Sequence, residues 1–180
     1  MLITDATLKL ISKKCPSLVN LSIVACEGFT DDGFKVLSSL KFLASINMCW
    51  NSYSPNLASN SLQSLLMVRN NVNIKTARAL LKNCPNLQTL DISACHQLGN
   101  AAELLLYIIP QLKLRFLGLE KVVVNVTDKL FKELKQISLA LIGRKITIFS
   151  DSISKDDANK LTDLGFYIQL SDSQNSKIVL

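Results

Sequence analysis

The sequence predicts an α/β fold in which short parallel strands alternate with helices and stack on one another as a solenoid. Two observations predict it. The pattern Cys-Pro-x-Leu-x-x-Leu-x-Ile-x-x-Cys occurs twice, from Cys15 to Cys26 and, 69 residues later, from Cys84 to Cys95. A shorter apolar spacing recurs between and after the two copies. Self-similarity of this length is typical of repeat proteins, in which each unit packs mainly against its neighbours.

The shorter spacing is Leu-x-x-Leu-x-Leu-x-x-(Cys/Asn), in which Ile or Met can replace a later Leu. Six segments fit it, and they end at Cys26, Asn51, Asn70, Cys95, Val122 and Ile142. The first five ends lie 25, 19, 25 and 27 residues apart, which fits leucine-rich repeats of about 20–29 residues. The sixth segment, Leu134 to Ile142, keeps only the apolar spacing and is the weakest. We therefore expect about six to seven repeats.

Each part of the repeat has a physical interpretation. In x-Leu-x-Leu-x the two apolar side chains lie on one face of a short strand, because side chains alternate along a strand. The terminal Asn or Cys lies where the chain bends, so an Asn there can bond to backbone groups of the turn. We expect parallel strands on a concave face, helices on a convex face and right-handed crossovers between them.

The segments between strands predict helices in most repeats. Capping residues followed by helical spacing predict them at residues 30–37, 75–83, 100–109 and 127–135. The second repeat has a predicted loop at residues 52–56 instead. Further on, the pattern predicts a strand at 145–149, a helix from Ser154 to Leu164 that ends at Gly165, and a strand at 166–170. We divide the chain into repeats at 1–145 and, at 146–180, a degenerate last repeat with a C-terminal cap and polar tail.

The first residues resemble the part of a repeat that follows a strand. Residues 3–8 match residues 29–34, so the repeats begin in the middle of a unit. The first strand, near residues 20–24, would then lie at an open edge of the sheet. Unpaired backbone groups along such an edge are rarely left uncovered. We expect this edge to be completed by more chain or by a partner subunit.

Composition narrows the possible partners and locations. The net charge is +6, but the basic residues are spread along the chain, and the densest group, Lys75, Arg78 and Lys82, fits one solvated helix face. Without interleaved aromatic residues or a known motif, this favours no nucleic-acid partner. No apolar run is long enough to span a membrane. The five cysteines are odd in number, and four occupy motif positions that call for a small buried residue, so we expect reduced thiols and a cytoplasmic or nuclear location.

The sequence offers little for catalysis or cofactor binding. The single histidine, His96, follows Cys95, which the repeat should bury and make unreactive. The acidic pairs at 31–32 and 156–157 are better explained as helix N-terminal residues. There is no glycine-rich phosphate loop and no spacing typical of a metal site. We predict that the protein is not an enzyme and carries no cofactor or metal.

The best candidate site is a protein-binding surface on the exposed side of the predicted sheet. Residues between the buried apolar positions should form columns across neighbouring strands. Apolar residues interrupt these otherwise small or polar columns, and an exposed apolar patch is a contact hypothesis. The predicted contact residues on the concave face and its edge are Val24, Asn47, Cys49, Trp50, Leu66, Val68 and Asp91. The alternative is that tight curvature, or Trp50 folding over the patch, covers it.

The two long motif copies also resemble a known family. Cys-Pro-x-Leu…Cys-x-x-apolar-small-Asp/Asn, at Cys15–Leu37 and Cys84–Ala102, is similar to the cysteine-containing leucine-rich repeats of F-box proteins. The resemblance covers residues 1–122, and no F-box precedes it in the sequence. It implies a surface that recognises a protein, often as the substrate receptor region of a cullin–RING ubiquitin ligase. The alternative function is a structural subunit packed into a large, stable multiprotein assembly.

Overall fold

The protein is an α/β fold built on one all-parallel sheet. The computed structural model describes residues 3–51, 53, 57–111, 113–137 and 145–171. Within them, seven strands lie side by side in the order of the sequence. The strands are β1 (Asn20–Ser22), β2 (Ser45–Asn47), β3 (Ser64–Leu66), β4 (Thr89–Asp91), β5 (Phe116–Gly118), β6 (Ile146–Ser150) and β7 (Phe166–Leu170).

The register of the first five strands is the one that the apolar spacing predicts. Leu21 pairs with Ile46, and the same motif position continues across the sheet to Leu117. The central residue of each of these strands is buried, whereas the residues on either side of it are less covered in β1 to β4. The core therefore lies on one side of the sheet. We call the side that carries the flanking residues the open face.

Helical segments connect most of the strands, and most of the predicted helices begin within one residue of the expected position. They are α1 (Asp5–Lys14), α2 (Asp31–Leu37), α3 (Ile74–Asn83), α4 (Leu104–Ile108), α5 (Asp128–Ile137) and α6 (Lys155–Asp163). Side chains at three N-caps accept the expected backbone N–H bonds: Thr30 from Asp32, Asn73 from Thr76, and Ser154 from Asp157. The prediction of one helix over 100–109 was partly wrong, because a 3₁₀ turn at Ala101–Glu103 precedes α4.

The remaining predictions concern the loop of the second repeat and the elements after residue 144. Residues 57–63 contain no helix before β3, and most of the predicted loop at 52–56 lies outside the described residues. The strand, helix and strand predicted after residue 144 are confirmed as β6, α6 and β7. Gly165 ends α6 with φ 97°, a left-handed conformation that glycine adopts without strain. The predicted polar tail from 171 onward lies almost entirely outside the described residues.

The prediction of a sixth motif copy was wrong. Leu134 and Ile137 belong to α5, and the sixth strand is β6, further along the chain; the other two motif positions, 139 and 142, lie outside the described residues. A spacing of three residues between apolar side chains is also that of one helix face. Leu130 and Leu134 are buried on that face, so the apolar pattern belongs to the helix.

A repeated left-handed turn follows each of the first five strands. The residue before each terminal motif position has φ between 52° and 63°; these residues are Ala25, Trp50, Arg69, Ala94 and Lys121. Asn51 then bridges two turns: its Oδ1 accepts the N–H of Cys26 (2.6 Å), and its amide donates to the carbonyls of Ile23 (3.0 Å) and Met48 (2.7 Å). Asn70 extends the ladder by accepting the N–H of Asn51 (2.9 Å). The predicted role of the motif Asn is confirmed.

The cysteines do not all share the predicted burial. Cys84 and Cys95 are buried, and their thiols point to the carbonyls of Leu57 (3.8 Å) and Met67 (3.2 Å) in the preceding unit. Cys15, however, is exposed and Cys26 is only partly buried, so the prediction was wrong for this pair. Among the described residues β1 pairs only with β2, and no preceding unit covers the first motif copy.

Candidate protein-binding surface

The first row of the candidate surface lies on the open face, at the ends of the central strands. Asn47 in β2 pairs in register with Leu66 in β3, and Leu66 pairs with Asp91 in β4. All three are partly buried, because each flanks a fully buried core residue. Neighbouring strands lie about 4.8 Å apart. The structure therefore brings these three predicted residues together in one row.

A second row lies just beyond the strand ends and is apolar. Hydrogen bonds continue the sheet ladder here: Ala25 N–H donates to Cys49 C=O (3.0 Å), and Trp50 N–H donates to Val68 C=O (2.8 Å). Val24, Cys49 and Val68 consequently lie next to one another on three successive chain segments. Val24 is 41% exposed, and the other two are partly buried. These side chains form a continuous apolar strip beside the first row.

Trp50 is the most prominent side chain at this edge. It is 53% exposed, and it occupies the left-handed turn position (φ 63°), which turns its side chain out of the sheet ladder. The guanidinium carbon of Arg69 lies 4.0 Å from the centre of its ring, an arrangement that holds the indole by cation–π attraction. Trp50 is therefore not folded away completely over the patch, because about half of its surface stays exposed.

Arg69 was missed by the sequence analysis, although a signal for it existed. Trp50 and Arg69 occupy the same motif position, directly before Asn51 and Asn70, in neighbouring units. The parallel pairing of β2 with β3 places equal motif positions side by side. Once the register was predicted, this pair could have been predicted as well.

Two polar side chains of the surface are each fixed by the same kind of local hydrogen bond. The side-chain oxygen of Asn47 accepts the N–H of Cys49 (3.2 Å), and that of Asp91 accepts the N–H of Ser93 (3.0 Å). In its present position the Asp91 carboxylate occupies the space that a Cβ on Gly118, its neighbour in β5, would need. The carboxylate is thus held in place beside Leu66. The surface thus combines the apolar strip with one acidic side chain, Asp91, and one basic side chain, Arg69.

The thiols near this surface are held in the protonated form. Burial raises the pKa of Cys49, and it raises the pKa of Cys95 to about 11. A protonated thiol is a weak nucleophile. His96, which follows Cys95, is exposed, while the Cys95 thiol donates inward to Met67 O. The two side chains are therefore not arranged as a nucleophile and its base.

Within the described residues, no group of three or more His, Cys, Asp or Glu side chains is placed to hold a metal ion. None of the helices described here is both long enough and apolar enough to cross a bilayer.

Comparison with known proteins finds no protein-family model that matches the chain and no curated protein that is significantly similar to it.

Proposed function

We propose that this chain is a leucine-rich-repeat solenoid that binds another protein through its open face. The repeat interpretation is supported by the way in which equal motif positions pair across β1 to β5 and by the left-handed turn that recurs after each of these strands. A stack of this kind presents an extended concave surface, and such surfaces are used for recognition.

One observation carries the binding proposal: Trp50 is half-exposed beside an apolar strip. Large aromatic residues dominate the binding energy of many interfaces, especially when apolar neighbours exclude water around them. Arg69 reduces the entropy cost of binding by holding the indole in one orientation before the partner arrives. Asn47 and Asp91 supply polar groups at the rim. The proposed occupant is a protein segment with an apolar residue that packs against Trp50.

A more specific proposal follows from the sequence resemblance alone. The cysteine-containing repeats resemble those of F-box proteins, so we propose that the partner is a substrate recruited to a cullin–RING ubiquitin ligase. This step adds no contact to the surface described above. Its separate test is whether a cullin adaptor co-purifies with the intact protein.

The test is affinity purification of the intact protein followed by mass spectrometry, using three versions of the protein. Trp50→Ala removes the proposed anchor. It should lower the affinity for a captured partner by about thirtyfold, which is the loss expected at an interface hot spot. Tyr167→Ala is the matched control, because Tyr167 in β7 is 60% exposed and lies far along the sheet. An identical partner set and equal affinity in the wild type and in Trp50→Ala would reject the proposal.

A second candidate function is that of a structural subunit, and it rests on the open edge at β1. Cys15 and Val19 are exposed beside this strand, which has a partner on one side only within the described residues. Edges of this kind are usually covered, so we propose that a partner subunit completes it. A partner that co-purifies in fixed stoichiometry, and that Trp50→Ala does not release, would favour this candidate.

A further inference from the structure

Two adjoining hollows form a groove along the edge where the chain enters the strands. The first hollow, of about 500 Å³, lies between Lys41 and residues 58–61, and the second, of about 350 Å³, runs from Lys41 past Gln63 to Lys113. Lys41 and residues 60–61 line both hollows, so the two are continuous. We call this feature the entry groove. It is separate from the open face that carries the proposed function.

The entry groove is positively charged. Lys41 and Lys113 line it, and none of the described residues that line it is Asp or Glu. Ion pairs occur elsewhere, at Lys35, Arg78 and Lys160 among others, and within the described residues neither groove lysine takes part in one. Two ammonium groups without a neighbouring carboxylate favour a negatively charged ligand.

Side-chain amides between the two lysines are already held in place. Gln88 Nε2 donates to Gln63 Oε1 (3.2 Å), and Lys113 Nζ donates to Asn86 Oδ1 (2.7 Å). The Gln63 amide nitrogen and the Gln88 amide oxygen have no hydrogen-bond partner among the described residues. Free donors next to free acceptors match the alternating N–H and C=O groups of an extended peptide backbone.

The spacing of the groove also fits an extended peptide. The segments that carry Lys41 and Lys113 lead into β2 and β5, which are three strand spacings apart, or about 14 Å. An extended chain covers that distance in about four residues. Phe42, which follows Lys41 and lines the second hollow, is 62% exposed and offers an apolar contact beside one of the charges.

We propose that the entry groove binds an extended acidic peptide segment of another protein. Carboxylates about four residues apart would meet Lys41 and Lys113, the peptide backbone would bond to Gln63 and Gln88, and an apolar side chain would pack on Phe42. Single-stranded nucleic acid fits less well, since it uses several stacked aromatic side chains, and Phe42 is the one aromatic side chain among the described residues that line the groove.

The experiment uses a fluorescein-labelled ten-residue peptide with Glu at its third and seventh positions, Leu at the fifth, and Gly or Ser elsewhere. Fluorescence anisotropy at low ionic strength should detect its binding to the intact protein. Lys41→Glu combined with Lys113→Glu should weaken binding at least tenfold, about the combined effect of two lost exposed ion pairs and the new repulsion. Lys129→Glu combined with Lys132→Glu, an equal double charge reversal at exposed positions on α5, should change binding less than twofold.

Several results would overturn the proposal. One is no detectable binding of the acidic peptide, and another is equal binding of a peptide with Lys in place of both Glu residues. A third is equal weakening of binding by the double reversal on α5 and by the double reversal in the groove, and a fourth is tighter binding of a ten-nucleotide oligothymidine. Thermal melts check that the variants fold. Trp50→Ala should leave peptide binding unchanged, so that this proposal and the open-face proposal can fail independently.

Discussion

Replacing Asn51 tests whether the turns between neighbouring units are held together by side-chain bonds. Its side chain is buried, at 1% exposure, and bonds to three backbone groups in two units. Asn51→Ala leaves Cys26 N–H and Ile23 C=O without this partner, whereas Met48 C=O keeps the amide of Asn70 (2.9 Å). A buried polar group that loses its partner costs about 1–3 kcal/mol. Two such groups predict that the free energy of unfolding falls by about 2–6 kcal/mol.

Urea denaturation measures this loss in the free energy of unfolding. Two further variants serve as a partial rescue and as a control. Asn51→Cys installs the residue that two other units use at the same position; it should recover part of the loss, because Cys95 there still donates to a carbonyl. Asn159→Ala, at an exposed position in α6, should change the free energy of unfolding by less than about 0.5 kcal/mol. A loss below about 1 kcal/mol for Asn51→Ala would refute the idea that this ladder joins the units.

Three other measurements test the core, the thiols and the acid response. Leu90→Ala should lower the free energy of unfolding by about 2–5 kcal/mol by leaving a cavity, and Thr89→Ala on the open face by less than about 1 kcal/mol; equal losses would contradict the register. Cys15 should react with a thiol reagent first and Cys95 only after unfolding, and the reverse order would refute the burial described above. Hydrogen bonds from the Thr30 N–H and hydroxyl lower the pKa of Asp5 from 3.8, so the stability that Asp5 contributes is present above pH 3.8 and is lost as the pH falls through its folded pKa. Melting temperatures at pH 7 and pH 3 should therefore differ less for Asp5→Asn than for the wild type, and an equal difference would reject this role.

Strand positions could be predicted because the information for them is local. The spacing between Leu18 and Cys26 is fixed by the alternation of a strand, and each copy repeats it. Helix starts were equally accessible, since Thr30 and Ser154 each cap the segment that directly follows them. The same local reasoning failed at Leu134, where a short apolar spacing fits a helix face as well as a strand entry.

Contacts between units were harder to predict because they combine distant residues. Arg69 lies against Trp50 only when the turns are stacked, and Lys41 shares a groove with Lys113 only after three strand steps. The exposure of Cys15 depends on what lies beside β1, which its own motif copy does not encode. The columns of the open face were predictable because they needed only the register.

The central claim is that a partner protein contacts Trp50 on the open face, and hydroxyl-radical footprinting tests it most directly. Trp50 and Tyr167 are both more than half exposed, and each is reactive enough to report its own surroundings. In a saturated complex with the partner captured by affinity purification, oxidation of Trp50 should fall several-fold while that of Tyr167 stays unchanged. Unchanged oxidation of Trp50 in that complex would contradict the account.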